Sequence, residues 1–112
     1  MHRNELLSLL EAYDTQIMTE AGYLERTKDF VRAHEDCFHS ELLPGHVTGS
    51  AWVVNPDRDL VLMLHHKKHS QWFQPGGHAD CDADIRRVAL RETHEETGIA
   101  PEQIRLLSEG IF

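Results

Sequence analysis

The sequence predicts an α/β protein of the α+β kind, with a helical first part, a strand-rich middle and one further amphipathic helix. Three observations carry this expectation. Residues 3–43 space their leucines and aromatics at helical period. From His46 the chain turns to short runs rich in Val, Leu and Trp, broken by turn formers. Residues 84–97 then return to a helical pattern with start and stop signals.

Within the first part, Leu6, Leu7, Leu9 and Leu10 face a core from a short helix ending near Tyr13. A second helix is expected from about Glu20 to His34, with Thr19 as its cap. Tyr23, Leu24, Thr27, Phe30 and Val31 form its apolar stripe, and Gly22 weakens its start. Pro44-Gly45 marks the break between residues 1–43, a helical N-terminal extension, and the domain over 44–112. Residues 47–54 and 60–65 read as strands of a hairpin, joined through Asn55-Pro56-Asp57-Arg58-Asp59. A third extended piece, 71–74, runs into Pro75-Gly76-Gly77. Asp82 or Asp84 caps the helix over 84–97 and Gly98 closes it in a left-handed turn. Residues 104–107 resemble the start of another strand. Trp52 and Trp72 are expected in the core or on a sheet face.

Composition limits the function classes. The chain has 112 residues and a formal net charge of −8, which argues against broad nucleic-acid binding and against adhesion to anionic membrane. It fits a protein that meets anionic ligands through a bridging cation. The longest apolar run, 60–64, is far below the roughly 20 residues that span a bilayer. Two cysteines, Cys37 and Cys81, without a signal segment suit a reducing, cytoplasmic setting.

The helix over 84–97 carries an unusual face. Ile85, Val88 and Ala89 form a buried stripe, and the same spacing continues onto Glu92, Glu95 and Glu96. At roughly 100° per residue the three carboxylates share about a 100° arc. Two such groups about 5 Å apart repel by about 3 kcal/mol at an effective dielectric near 20. The C-terminal end of the helix dipole adds to that repulsion. A hard dication relieves it, and all-oxygen ligands point to Mg²⁺ or Mn²⁺. The alternative is a solvated acidic face offset by Arg87 and Arg91, with Arg91 and Glu95 paired at i,i+4.

The spacing to the glycines favours the first reading. Gly77 is followed by five residues, Ala83, seven residues, and then Arg91-Glu92-Thr93-His94-Glu95-Glu96-Thr97-Gly98-Ile99. This string resembles the Nudix box, the loop–helix signature of the Nudix hydrolase family, at Gly77, Arg91, Glu92, Glu95, Glu96, Gly98 and Ile99. The lead-in Gln74-Pro75-Gly76-Gly77 resembles the family's as well. Ala83 stands where the family has its first Glu, with Asp82 and Asp84 flanking it, and Thr93 stands where it has an aliphatic residue.

The resemblance implies a Nudix-like mixed sheet and metal-dependent hydrolysis of the pyrophosphate linkage in a nucleoside diphosphate derivative. It implies Glu92, Glu95 and Glu96 as ligands of Mg²⁺ or Mn²⁺, with Glu95 sharing a metal or acting as base. Arg91 orients the carboxylates and keeps them ionised. Gly76, Gly77 and His78 contact the substrate, and the Gly76 carbonyl offers a further ligand. A catalytically silent module that binds a nucleotide or a protein partner is the rival reading, prompted by Ala83. His65, His66 and His69 read first as exposed strand-end or loop residues, and His34, Cys37 and His39 lack a fourth ligand for zinc. Nudix domains continue well beyond the box helix. The chain is therefore expected to be part of a longer protein, to complete its sheet with a second copy as a homo-oligomer, or to use its N-terminal helices as the missing layer.

Overall fold

A computed structural model describes residues 3–111. Helices α1 (Arg3–Ala12) and α2 (Met18–Ala33) pack on one another. Leu6 and Leu10, one turn apart, are the buried residues of α1, while Lys28 and Val31 are those of α2. Leu24, Phe30 and Val31 of the expected stripe pack in the core, Lys28 joins them, and Tyr23 and Thr27 are exposed. Lys28 lies inside because Glu25 and Glu11 meet its ammonium at 3.2 and 3.4 Å; a buried lysine needs such partners. Thr19 does not cap α2. The helix starts after Ile17, whose amide donates to the Thr15 hydroxyl at 3.2 Å. At the other end the Arg3 guanidinium donates to the carbonyls of Val31 and Arg32, each at 3.0 Å, placing positive charge where the helix dipole is negative.

Four strands follow: β1 (Thr48–Ser50), β2 (Leu64–His66), β3 (Gln71–Phe73) and β4 (Gly76–His78). Among the described residues they form two short antiparallel ladders. In one, Gly49 of β1 faces Gly77 of β4; in the other, His65 of β2 faces Trp72 of β3. The expected hairpin through residues 55–59 is present, closed by Asn55, whose side-chain oxygen accepts from the amides of Asp59 (3.0 Å) and Leu60 (2.9 Å). Its arms contain only a single bridge, Val54 to Val61, in place of two full strands. Leu60 and Val61 are exposed, so no buried face extends that pairing. Residues 104–107 form no strand: the amide of Ile104 closes a 3-10 turn (Pro101–Gln103) on the Pro101 carbonyl, and Leu106 and Leu107 are exposed. The tryptophans are not core residues, Trp52 being 50% and Trp72 65% exposed.

Helix α3 (Ile85–Thr97) lies across β1 and β4. Asp84 caps it by accepting from the Arg87 amide, and Gly98 ends it with φ of 78°, a left-handed turn that favours glycine. Val88 is buried against Gly49. One core unites the chain: Leu6, Leu10, Val31, Cys37, Phe38, Ala79 and Val88. Cys37 and Phe38, between α2 and β1, are two of its fully buried members. The Cys37 carbonyl accepts from Val47 at 2.6 Å and the Phe38 carbonyl from Cys81 at 3.0 Å. Arg86 of α3 ties back to Glu5 of α1 at 3.0 Å. No described helix is long and apolar enough to cross a membrane.

Candidate active site

Strand β4 and helix α3 bring the box residues together. The chain leaves β4 through Asp80 and Cys81, both in the left-handed region (φ 50° and 69°), and re-enters α3 so that the helix covers the glycine strand. Gly77 lies directly beneath Glu92. A Cβ at position 77 would stand 2.7 Å from the Glu92 carboxylate carbon, so glycine is what allows that side chain to lie against the backbone. One turn on, Glu96 Oε1 accepts from the Gly76 amide at 2.9 Å. It is thus the amide of Gly76 that meets the acidic face. Glu92 is only 14% exposed, whereas Glu95 is 57% exposed.

Arg91 is the shared counter-charge. Its guanidinium donates to the His78 carbonyl at 2.9 Å, which anchors it to the end of β4. From there it lies 3.6 Å from Glu92, 3.9 Å from Glu95, and 4.0 Å from both Asp80 and Asp82. Asp80 escaped the sequence reading, because nothing in its spacing marks it. His78 is exposed, and its ring packs edge-on to His46 at 4.7 Å.

The two departures from the box also have physical outcomes. Thr93 is buried, and its hydroxyl donates to the Ala89 carbonyl at 2.8 Å, so its methyl fills an apolar position without an unpaired polar atom. Ala83 packs against the core. Asp82 does not stand in for the missing Glu, since both of its oxygens are engaged by Arg87 at 2.7 Å and one also accepts from the Asp84 amide at 2.9 Å. The Arg87 hydrogen bond, helped by the Asp84 amide, holds the Asp82 carboxyl down at about 2, against an ordinary 3.8. A carboxyl depressed on folding stabilises above its unfolded pKa and loses that effect as pH falls through the folded one. Asp82→Asn is therefore expected to lower the urea midpoint at neutral pH, with the difference from wild type shrinking as pH falls from 3.8 to about 2. A difference constant over that range would refute the assignment.

All donors on the acidic face are oxygens, which suits a hard dication. Among the described residues, no three His, Cys, Asp or Glu side chains already converge as a metal cage. The fit is thus one of donor chemistry. Cys37 is buried and Cys81 exposed, both as free thiols; burial pushes the Cys37 thiol up.

An α+β domain in which a double-glycine strand backs a helix bearing three carboxylates is the loop–helix arrangement that the sequence resemblance announced. A family model described as NUDIX domain matches residues 44–111, and the chain belongs to that family, the Nudix hydrolases. It is also similar to two proteins named nucleoside diphosphate-linked moiety X motif 6. With that of Mus musculus it shares 36% identity over 72 residues, covering 59% of this chain and 23% of the relative. With that of Xenopus laevis it shares 40% over 72 residues, covering 59% and 33%. The match thus spans a third or less of either relative.

Proposed function

We propose that the chain carries the reaction centre of a hydrolase that cleaves the pyrophosphate linkage of a nucleoside diphosphate joined to another moiety. The observation that carries this reading is the seating of Glu92 against Gly77 and the bond from the Gly76 amide to Glu96, which brings two carboxylates to the glycine strand. The names of the two relatives point to the same substrate class. A bound Mg²⁺ or Mn²⁺ supplies charge neutralisation on the phosphate oxygens and an acidified water. Glu92, Glu95 and Glu96 are the residues that would hold it. Glu95 takes the proton of the attacking water in this reading, which its greater exposure than Glu92 supports. The water oxygen adds to one phosphorus, the bridging P–O bond breaks, and the departing phosphate keeps the electron pair. Arg91, anchored on the His78 carbonyl, offsets the charge of Glu92 and Glu95 at 3.6 and 3.9 Å.

The reading is tested by incubating the chain with a panel of nucleoside diphosphate derivatives and Mg²⁺ or Mn²⁺. Release of a nucleoside monophosphate, abolished by a chelator and restored by added metal, is the expected result. No release from any member of the panel rejects it. A second reading, a binding module without turnover, is favoured by Ala83 in the core and Asp82 fully engaged by Arg87, which leave the position of the family's first Glu without a carboxylate. Calorimetry showing metal-independent nucleotide binding with no hydrolysis selects it.

A further inference from the structure

We propose that the β2–β3 arm holds the nucleoside of the ligand, with the exposed indole of Trp72 as the stacking surface for the base. The proposal rests on the nucleotide-derivative reading above and deepens it by assigning the base to particular residues.

An exposed tryptophan on a three-residue strand is not explained by packing. Trp72 is 65% exposed, and among the described residues its one aromatic neighbour is His65 across the ladder, 5.0 Å away and steeply inclined at 67°. The imidazole steadies the indole and leaves much of it open. On the other side of the arm Phe73 meets His66 at 5.9 Å, so both sides present rings. Rings in such numbers offer flat π surface, on which every nucleobase stacks.

The charge pattern selects an anionic partner for those rings. All 19 acidic residues of the chain lie outside residues 60–79, and that stretch carries Lys67 and Lys68 at the turn of the arm. Among the described residues neither lysine forms an ion pair, whereas Arg86, Arg87 and Arg91 of α3 are all engaged by carboxylates. In a protein of net charge −8, residues 60–79 carry a formal charge of +2 with histidine neutral, which favours a phosphorylated ligand. An aliphatic partner surface would gain nothing from the two lysines.

The arm also connects to the reaction centre. Trp72 precedes Gly76 by four residues, so at most about 13 Å of extended chain separates them. A nucleoside diphosphate reaches across that distance, its base at Trp72 and its phosphates at Gly76 and Gly77.

Trp52→Phe leaves Trp72 as the sole indole. In that variant, with Mg²⁺ present, ADP is expected to quench the emission saturably and inorganic pyrophosphate to leave it unchanged. Calorimetry on Trp72→Ala is expected to show ADP binding weakened about 5- to 150-fold with pyrophosphate binding unchanged. Trp72→Phe, which keeps a ring, recovers most of the loss. Absence of quenching by ADP, GDP, CDP and UDP overturns the proposal. So does Trp72→Ala binding ADP as tightly as wild type, or losing ADP and pyrophosphate equally. If Trp72→Ala fails to fold, the quench and the Phe variant decide. A chain that is quenched by ADP yet never hydrolyses its panel overturns the hydrolase reading and leaves the arm's role standing.

Discussion

Glu96→Gln is expected to lower kcat/KM for a nucleoside diphosphate derivative about 100-fold or more, roughly 2.7 kcal/mol of transition-state stabilisation. The substitution is a clean probe because of what it leaves in place. Glu96 Oε1 accepts a hydrogen bond from the Gly76 amide at 2.9 Å, and the amide oxygen of Gln accepts the same bond. The side chain keeps its length and its anchor, and only the negative charge disappears. Stability, read from urea unfolding, is therefore expected to change by less than about 1 kcal/mol. The loss in rate comes from one fewer anionic oxygen for a dication that neutralises the phosphates. It is expected to be accompanied by a higher Mg²⁺ requirement. Wild-type turnover in Glu96→Gln would remove Glu96 from the reaction centre and leave it a backbone-capping residue.

The box was legible in the sequence because its chemistry is local. Glu92, Glu95 and Glu96 share a helix face by periodicity alone, and Asp84 and Gly98 bound that helix with the two strongest terminal signals. The glycines at 76 and 77 are likewise read from spacing, and the structure gives the reason for them: the space a Cβ would take is occupied, at 77 by Glu92 and at 76 by β1. What spacing does not encode is the direction of long side chains. Asp82 flanks Ala83, where the family's first Glu is missing, and Arg87 claims both its oxygens, a pairing fixed by how the loop enters α3. Asp80 joins the Arg91 cluster only because the left-handed turn at Asp80 and Cys81 folds it back.

The misplaced elements share another cause. Tyr23 and Thr27 have helical spacing suited to burial, but the face of α2 is chosen by α1, and Lys28 with its two acidic partners fits that contact. A buried lysine violates composition rules and is found only from its neighbours. Strand lengths were overestimated for a related reason. Residues 47–54 and 60–65 have strand-like composition, but a ladder extends only where a buried face rewards it, and Trp52, Leu60 and Val61 are exposed. Trp72 is exposed likewise, which composition does not encode.

Gly77→Ala is expected to reduce turnover about 100-fold while leaving the fold intact. The added methyl would lie 2.7 Å from Cδ and Oε1 of Glu92 and 2.9 Å from its Oε2, closer than atoms of those kinds approach. Its backbone is not left-handed, so the conformation itself is open to alanine. What yields is the far end of the Glu92 side chain, which swings outward at little energetic cost. A displacement of about 1 Å at a reacting centre can cost about 100-fold in rate. Gly49, facing Gly77 across the β1–β4 ladder, supplies the contrast. An alanine there meets Cγ1 of buried Val88 at 2.8 Å and the Ile85 carbonyl at 3.0 Å, and neither atom can swing away. Gly49→Ala is therefore expected to lose about 1–3 kcal/mol of stability through overpacking, with α3 pushed from the strand. Urea unfolding and turnover measured on both variants separate the two effects. Full activity in a folded Gly77→Ala chain would show that the seat of Glu92 on the glycine strand has no part in the reaction.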